Sequence, residues 1–119
     1  MTTTKPIEMT KAEQVRKALS DDYINYMISA SRIMTKMEKL DIFSAEYRKL
    51  MERFDFESFM ASFLMTLSAR LDVNNADDSK TEALLRFHVY NLEQNGFQNL
   101  KEDYLLSKLK EYLRKFFND

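Results

Sequence analysis

At 119 residues the chain has the length of one domain with a real core, and its 45% hydrophobic and 31% charged residues make a globular rather than a disordered balance. It has no cysteine, which excludes a disulfide scaffold, a cysteine nucleophile and cysteine-ligated zinc. A formal net charge of −1 gives no help to strong nucleic-acid binding, and one glycine with one proline argues against hairpin turns and phosphate-cradling loops.

Ordinary usage would supply about eight glycines and six prolines in this length. Their scarcity favours long helices joined by short polar turns, so the expected fold is all-α, a compact bundle of five to six helices. Residues 1–9 are polar and Thr-rich, carry the only proline, and read as a flexible lead; residues 10–119 read as a single helical domain. No apolar stretch of signal-peptide length stands at the N-terminus, and no run approaches the roughly 18 apolar residues of a membrane span. The location expected on these grounds is cytoplasmic.

Thr10-Lys-Ala-Glu13 fits a capping box and opens a first helix to about Leu19, with Ala12, Val15 and Leu19 on one side. A second helix is expected after Ser20, where Asp21 and Asp22 suit the positive end of a helix dipole, and it runs to about Leu40. Within it Tyr26, Ala30, Ile33, Met37 and Leu40 are spaced 4, 3, 4, 3, a seam of two heptads, which Ile24, Met27 and Met34 widen. Ser44 caps a third helix to Phe54, and Asp55 is placed to cap a fourth over residues 56–71. That fourth helix is apolar around most of its circumference near Phe59–Leu67, which marks a central helix or one in an oligomer interface.

The clearest break is Asp72–Ser79. A fifth helix is expected from Lys80 to Gln94, with Leu84, Leu85, His88 or Val89, and Leu92 inward. Asn95-Gly96 is its stop, and Phe97 is positioned to pack back on its last turn. Asn99-Leu-Lys-Glu102 repeats the capping pattern for a last helix, the most regularly amphipathic in the chain, with Leu105, Leu106, Leu109, Tyr112, Leu113, Phe116 and Phe117 on one face.

No pattern of catalytic residues emerges. His88 is the only histidine, and its neighbours at three and four residues are Leu84, Leu85, Asn91 and Leu92, without the carboxylate or second histidine that a metal or an acid–base pair needs. The Asp72 loop fails as a calcium loop at two required positions: Asp77 stands where the turn needs glycine, and Ala83 where a bidentate glutamate belongs. The serines fall at mid-helix with no glycine elbow, and no phosphate or dinucleotide motif is present. The chain is therefore expected to be no enzyme and to hold neither cofactor nor metal.

Two surfaces remain. Eight methionines, six of them at or near apolar faces (Met27, Met34, Met37, Met51, Met60, Met65), exceed what one small bundle needs, and methionine adapts to uneven partner surfaces. The leading expectation is a small regulator, inhibitor or adaptor acting on a protein partner or on itself as a homodimer. Its interface would use Met34, Met37, Phe59, Phe63, Leu109, Tyr112 and Phe116. The alternative is a nucleic-acid-binding regulator using Arg32, Lys36, Lys39, Arg48, Lys49 and Arg53, but Glu38, Asp41, Glu46 and Glu52 interrupt that field. Membrane binding through the last helix is disfavoured because Glu102, Asp103 and Glu111 dilute its positive charge.

Overall fold

The structure is a computed structural model that describes residues 9–95 and 99–118. It contains four α-helices, α1 (Lys11–Met37), α2 (Ala45–Val73), α3 (Asp78–Gln94) and α4 (Leu100–Phe117), and the described residues include no strand. The all-α class stands. The count of five to six helices does not: the first and second expected helices are one, as are the third and fourth. Nothing stops the chain at either expected break. Ser20, Asp21, Asp22 and Asp55 favour caps but tolerate helix interiors, and neither glycine nor proline is near them. Partners elsewhere in the fold also use the acids. Asp22 accepts a hydrogen bond from the Tyr112 hydroxyl and pairs with Lys108 Nζ at 3.1 Å, and Asp55 pairs with Lys101 Nζ at 2.6 Å.

The real starts carry the caps that the sequence offered. Thr10 Oγ1 accepts from Glu13 N–H, Ser44 Oγ from Tyr47 N–H, and Asn99 Oδ1 from Glu102 N–H. The Asp72–Ser79 break shrinks to a tight turn in which Asn75 takes a left-handed φ of 47° and Asp77 caps α3 through Lys80 N–H. The expected lead over residues 1–8 and the stop at Gly96 and Phe97 lie outside the described residues.

The helices run up, down, up and down. α1 and α2 form a long antiparallel hairpin, and α3 and α4 pair with one another beside its lower half. Polar ties fix this register. Ala12 N–H donates to Asp78 Oδ1 at 2.8 Å and Arg16 to the Ala76 carbonyl at 2.7 Å, holding the start of α3 against the start of α1. At the other end of α4, Lys101 reaches Asp55, and the Tyr104 ring meets Phe56 edge-on at 5.2 Å.

One core joins Val15 and Leu19 of α1, Met60, Leu64, Leu67 and Leu71 of α2, Leu85 of α3, and Leu105, Leu109, Tyr112 and Leu113 of α4. It ends near Tyr26 and Phe56. Above that level α1 and α2 continue for about three turns with only each other. The outline reflects this overhang. The radius of gyration is 17.7 Å, against about 13–14 Å for a compact chain of this length. No helix among the described residues is long and apolar enough to cross a membrane.

Candidate functional site

The projecting half of the hairpin is built from the seam expected in the sequence. Ala30, Ile33 and Met37 of α1 are buried against α2, with Tyr26 half-buried below them. Two helices can cover only the strip where they touch, so the remaining apolar positions stay open to solvent. Met27 is 50% exposed, Met34 47% and Met51 42%, with Ile24 and Ile28 similarly open on the outer side of α1; Met65, further down α2 beside the core, is 47% exposed. In the connecting turn Phe43 is 85% exposed.

These side chains are organised rather than scattered. Met34, Met37, Leu40, Ile42, Tyr47, Met51 and Phe54 line a single groove of about 330 Å³ at the hairpin tip, with Glu38 the one charged residue in its wall. With successive residues turning by about 100°, Met27 falls on the same flank of α1 as Met34, and Met65 on the same flank of α2 as Met51. Ala30 and Ala61, both buried, let the helices approach between these rows. On α1 the run Tyr23–Ser31 contains no charged residue across nine positions, though half of such a helix faces water. The opposite flank has a different character. Asp22, Phe56 and Phe63 turn there towards α3 and α4 in the lower half, and above them the same periodicity collects Arg32, Lys36, Lys49 and Arg53.

The seven residues expected to form one interface are dispersed. Met34 lies on the open flank and Met37 is the buried floor of the tip groove. Leu109 and Tyr112 are corrected to core residues of the chain itself, at 0% and 3% exposure, because α4 turns its apolar face inward on α1 and α2. Phe116 is half-buried at the edge of that core, with Lys115 Nζ 5.3 Å from its ring centre. Phe59 and Phe63 face a separate cleft of about 560 Å³ between α2 and the α3–α4 pair, shared with Thr66, Arg70, His88 and Lys101. Met27, Met51 and Met65, grouped in the sequence only as apolar-face methionines, are the residues that join Met34. The uncharged run Tyr23–Ser31 is the sequence signal that points to them. All six residues of the basic set (Arg32, Lys36, Lys39, Arg48, Lys49 and Arg53) are exposed, and none makes an ion pair among the described residues.

His88 stands at the wall of the larger cleft, edge-on to the Phe63 ring at 5.2 Å and to Phe87 at 5.6 Å. Its Nε2 is buried without a hydrogen-bond partner. Burial, and then the nearby Arg70 guanidinium, lower its pKa below the ordinary 6.5. The folded chain thus keeps this ring neutral at a pH where the unfolded chain protonates it. Stability from His88 is complete above pH 6.5 and declines as pH falls from there towards the lowered folded value. Urea titrations at pH 7.5 and 5.5 are expected to give a lower midpoint at the acid pH. In His88→Gln most of that difference should vanish, and an unchanged difference would assign it to other groups.

The other shifted groups are tyrosines. Burial and the hydrogen bond to Asp22 push the Tyr112 hydroxyl well above its usual range, so it remains a donor throughout the physiological span. Burial also raises Tyr26. Among the described residues no group of three His, Cys, Asp or Glu side chains is placed to hold a metal ion. Comparison with protein families, with curated proteins and with solved structures finds no match to this chain.

Proposed function

We propose that this chain is a non-catalytic interaction protein, a small regulator or adaptor, that docks through the methionine-bearing flank of its α1–α2 hairpin. One observation carries the reading: the hairpin runs about three turns past the core while keeping Met27, Met34, Met51 and Ile42 at least two-fifths exposed. A projecting pair of helices with a contiguous apolar face loses hydrophobic stabilisation unless something covers that face. Methionine suits such a contact because its unbranched thioether repacks against uneven surfaces. The groove at the tip offers a seat for an apolar side chain of the partner, and Glu38 in its wall supplies a polar margin.

The test compares the proteins, the chain itself included, that stay with tagged wild type and with Met34→Glu/Met51→Glu purified from its native cells. Both positions are open to water, so the variant should keep its helix content. Loss of at least one specific partner is the expected result, and identical sets would overturn the reading.

A second reading is favoured by Arg32, Lys36, Lys49 and Arg53, exposed, without an ion pair among the described residues and gathered on the other flank. Such a cluster suits phosphate contacts. Four acids interspersed between residues 38 and 52 and a net charge of −1 weigh against it.

A further inference from the structure

We infer that the cleft between α2 and the α3–α4 pair binds a small aromatic carboxylate. This site is separate from the methionine-bearing flank and goes beyond the docking reading without depending on it. The build of the cleft wall, its charge and its length each point to such a ligand.

The wall is amphipathic. Ser58, Ser62, Thr66 and Arg70 follow one another at four-residue intervals on α2 and line the cleft together. Phe59 and Phe63, both half-buried, line it beside them as a second row. The three hydroxyl side chains are too short to fill the gap, and about 560 Å³ stays open. Small-molecule sites take roughly 300–1,000 Å³. None of the three hydroxyls makes a hydrogen bond among the described residues, so each is free to donate. One polar row beside one aromatic row suits a ligand with a polar edge and a flat apolar body. His88 belongs to the far wall. Its ring packs edge-on against Phe63 and its Nε2 is shut off from solvent, so the ring offers a ligand a flat surface rather than that nitrogen.

The charge selects a monoanion. At the upper end of the cleft Lys101 and Asp55 neutralise each other at 2.6 Å. At the lower end Arg70 is exposed and makes no ion pair among the described residues. One positive charge is thus left uncompensated. A carboxylate matches it, because the planar guanidinium donates two parallel N–H bonds to its two oxygens. A phosphate dianion would bring a second charge with no second free cation in the cleft to meet it.

The spacing fits a carboxyl group joined directly to a ring. Phe63 and Arg70 are seven positions apart, about 10 Å along the helix axis. A helical arginine leans back over the turn before it, which takes up about 5 Å of that distance. The remainder is the short step from a carboxyl carbon to the middle of its own aromatic system. Phe59, one turn beyond Phe63, leaves room for a second fused ring.

Proton NMR of the full chain tests this. The chain has one histidine, so the ring proton between its two nitrogens is a single reporter in the cleft wall. At a fixed pH of 7.5, 2-naphthoate should shift that resonance saturably with a Kd below about 1 mM. The uncharged 2-naphthylmethanol should bind at least about ten-fold more weakly, the loss expected without a charge-assisted hydrogen-bond pair. Arg70→Gln, at an exposed position, should weaken naphthoate by a similar factor and leave the alcohol unchanged. Met34→Glu/Met51→Glu should bind naphthoate as wild type does. The inference is overturned by the absence of a saturable shift, by equal binding of acid and alcohol, or by Arg70→Gln binding naphthoate like wild type. Loss of naphthoate binding in Met34→Glu/Met51→Glu would also overturn it, by placing the ligand on the hairpin flank. None of these outcomes concerns protein partners, so the docking reading stands or falls on its own test.

Discussion

Leu109→Ala is expected to destabilise the chain by about 2–5 kcal/mol, the range for deleting a fully buried leucine side chain from a packed core. Leu109 has no exposed surface and sits where α4 meets the cluster of Val15, Leu19, Met60 and Leu64. The cost combines lost transfer energy with the cavity left behind. The surrounding helices are tied by Tyr112–Asp22 and Lys108–Asp22 and cannot simply close the gap. Urea unfolding followed by circular dichroism at one fixed protein concentration measures it, since self-association would otherwise shift the midpoint. The sequence alone allowed position 109 to face a partner. A loss below about 1 kcal/mol would return it to the surface.

Asp78→Ala is expected to cost about 2 kcal/mol, more than an ordinary first-turn acid contributes. The first amides of any helix lack partners within it, and α1 satisfies two of its own by different routes. Thr10 takes the Glu13 N–H, and Asp78, on the first turn of α3, takes the Ala12 N–H at 2.8 Å. Ala12 is 2% exposed, so water has little access to the amide once the carboxylate is gone. The same substitution removes a negative charge from the α3 N-terminus. Asp78→Asn keeps an acceptor and should recover about half of the loss. A change within about 0.5 kcal/mol would mean that the amide finds another acceptor.

These two residues mark what patterning conveys and what it leaves open. Residue choice at the helix starts is local chemistry, so the caps at Thr10, Ser44 and Asn99 were legible. The seam Ala30, Ile33 and Met37 and the shared apolar face of Leu105, Leu109 and Leu113 were legible for the same reason: helical spacing alone collects them on one side, though not what that side packs against. Asp22 and Asp55 misled, because a short acid serves equally as a cap or as the partner of a distant cation. Only the position of α4 decides between these uses.

The candidate interface was legible in residue type but not in place. Periodicity marks which face of a helix avoids water but not what covers it. The apolar faces of α1, α2 and α4 look alike in the sequence, yet Leu109 and Tyr112 vanish into the core while Met27 and Met51 remain in solvent. That difference arises from length. α3 and α4, at 17 and 18 residues, cannot span α1 and α2, at 27 and 29. The sequence by itself determined that this chain is helical, where its caps lie and which side chains are apolar, since each of those follows from neighbours within one or two turns. Tertiary structure alone decided that the described residues form four helices and that one flank of the hairpin stays bare. Both depend on which distant segments run out first, and local spacing does not encode that.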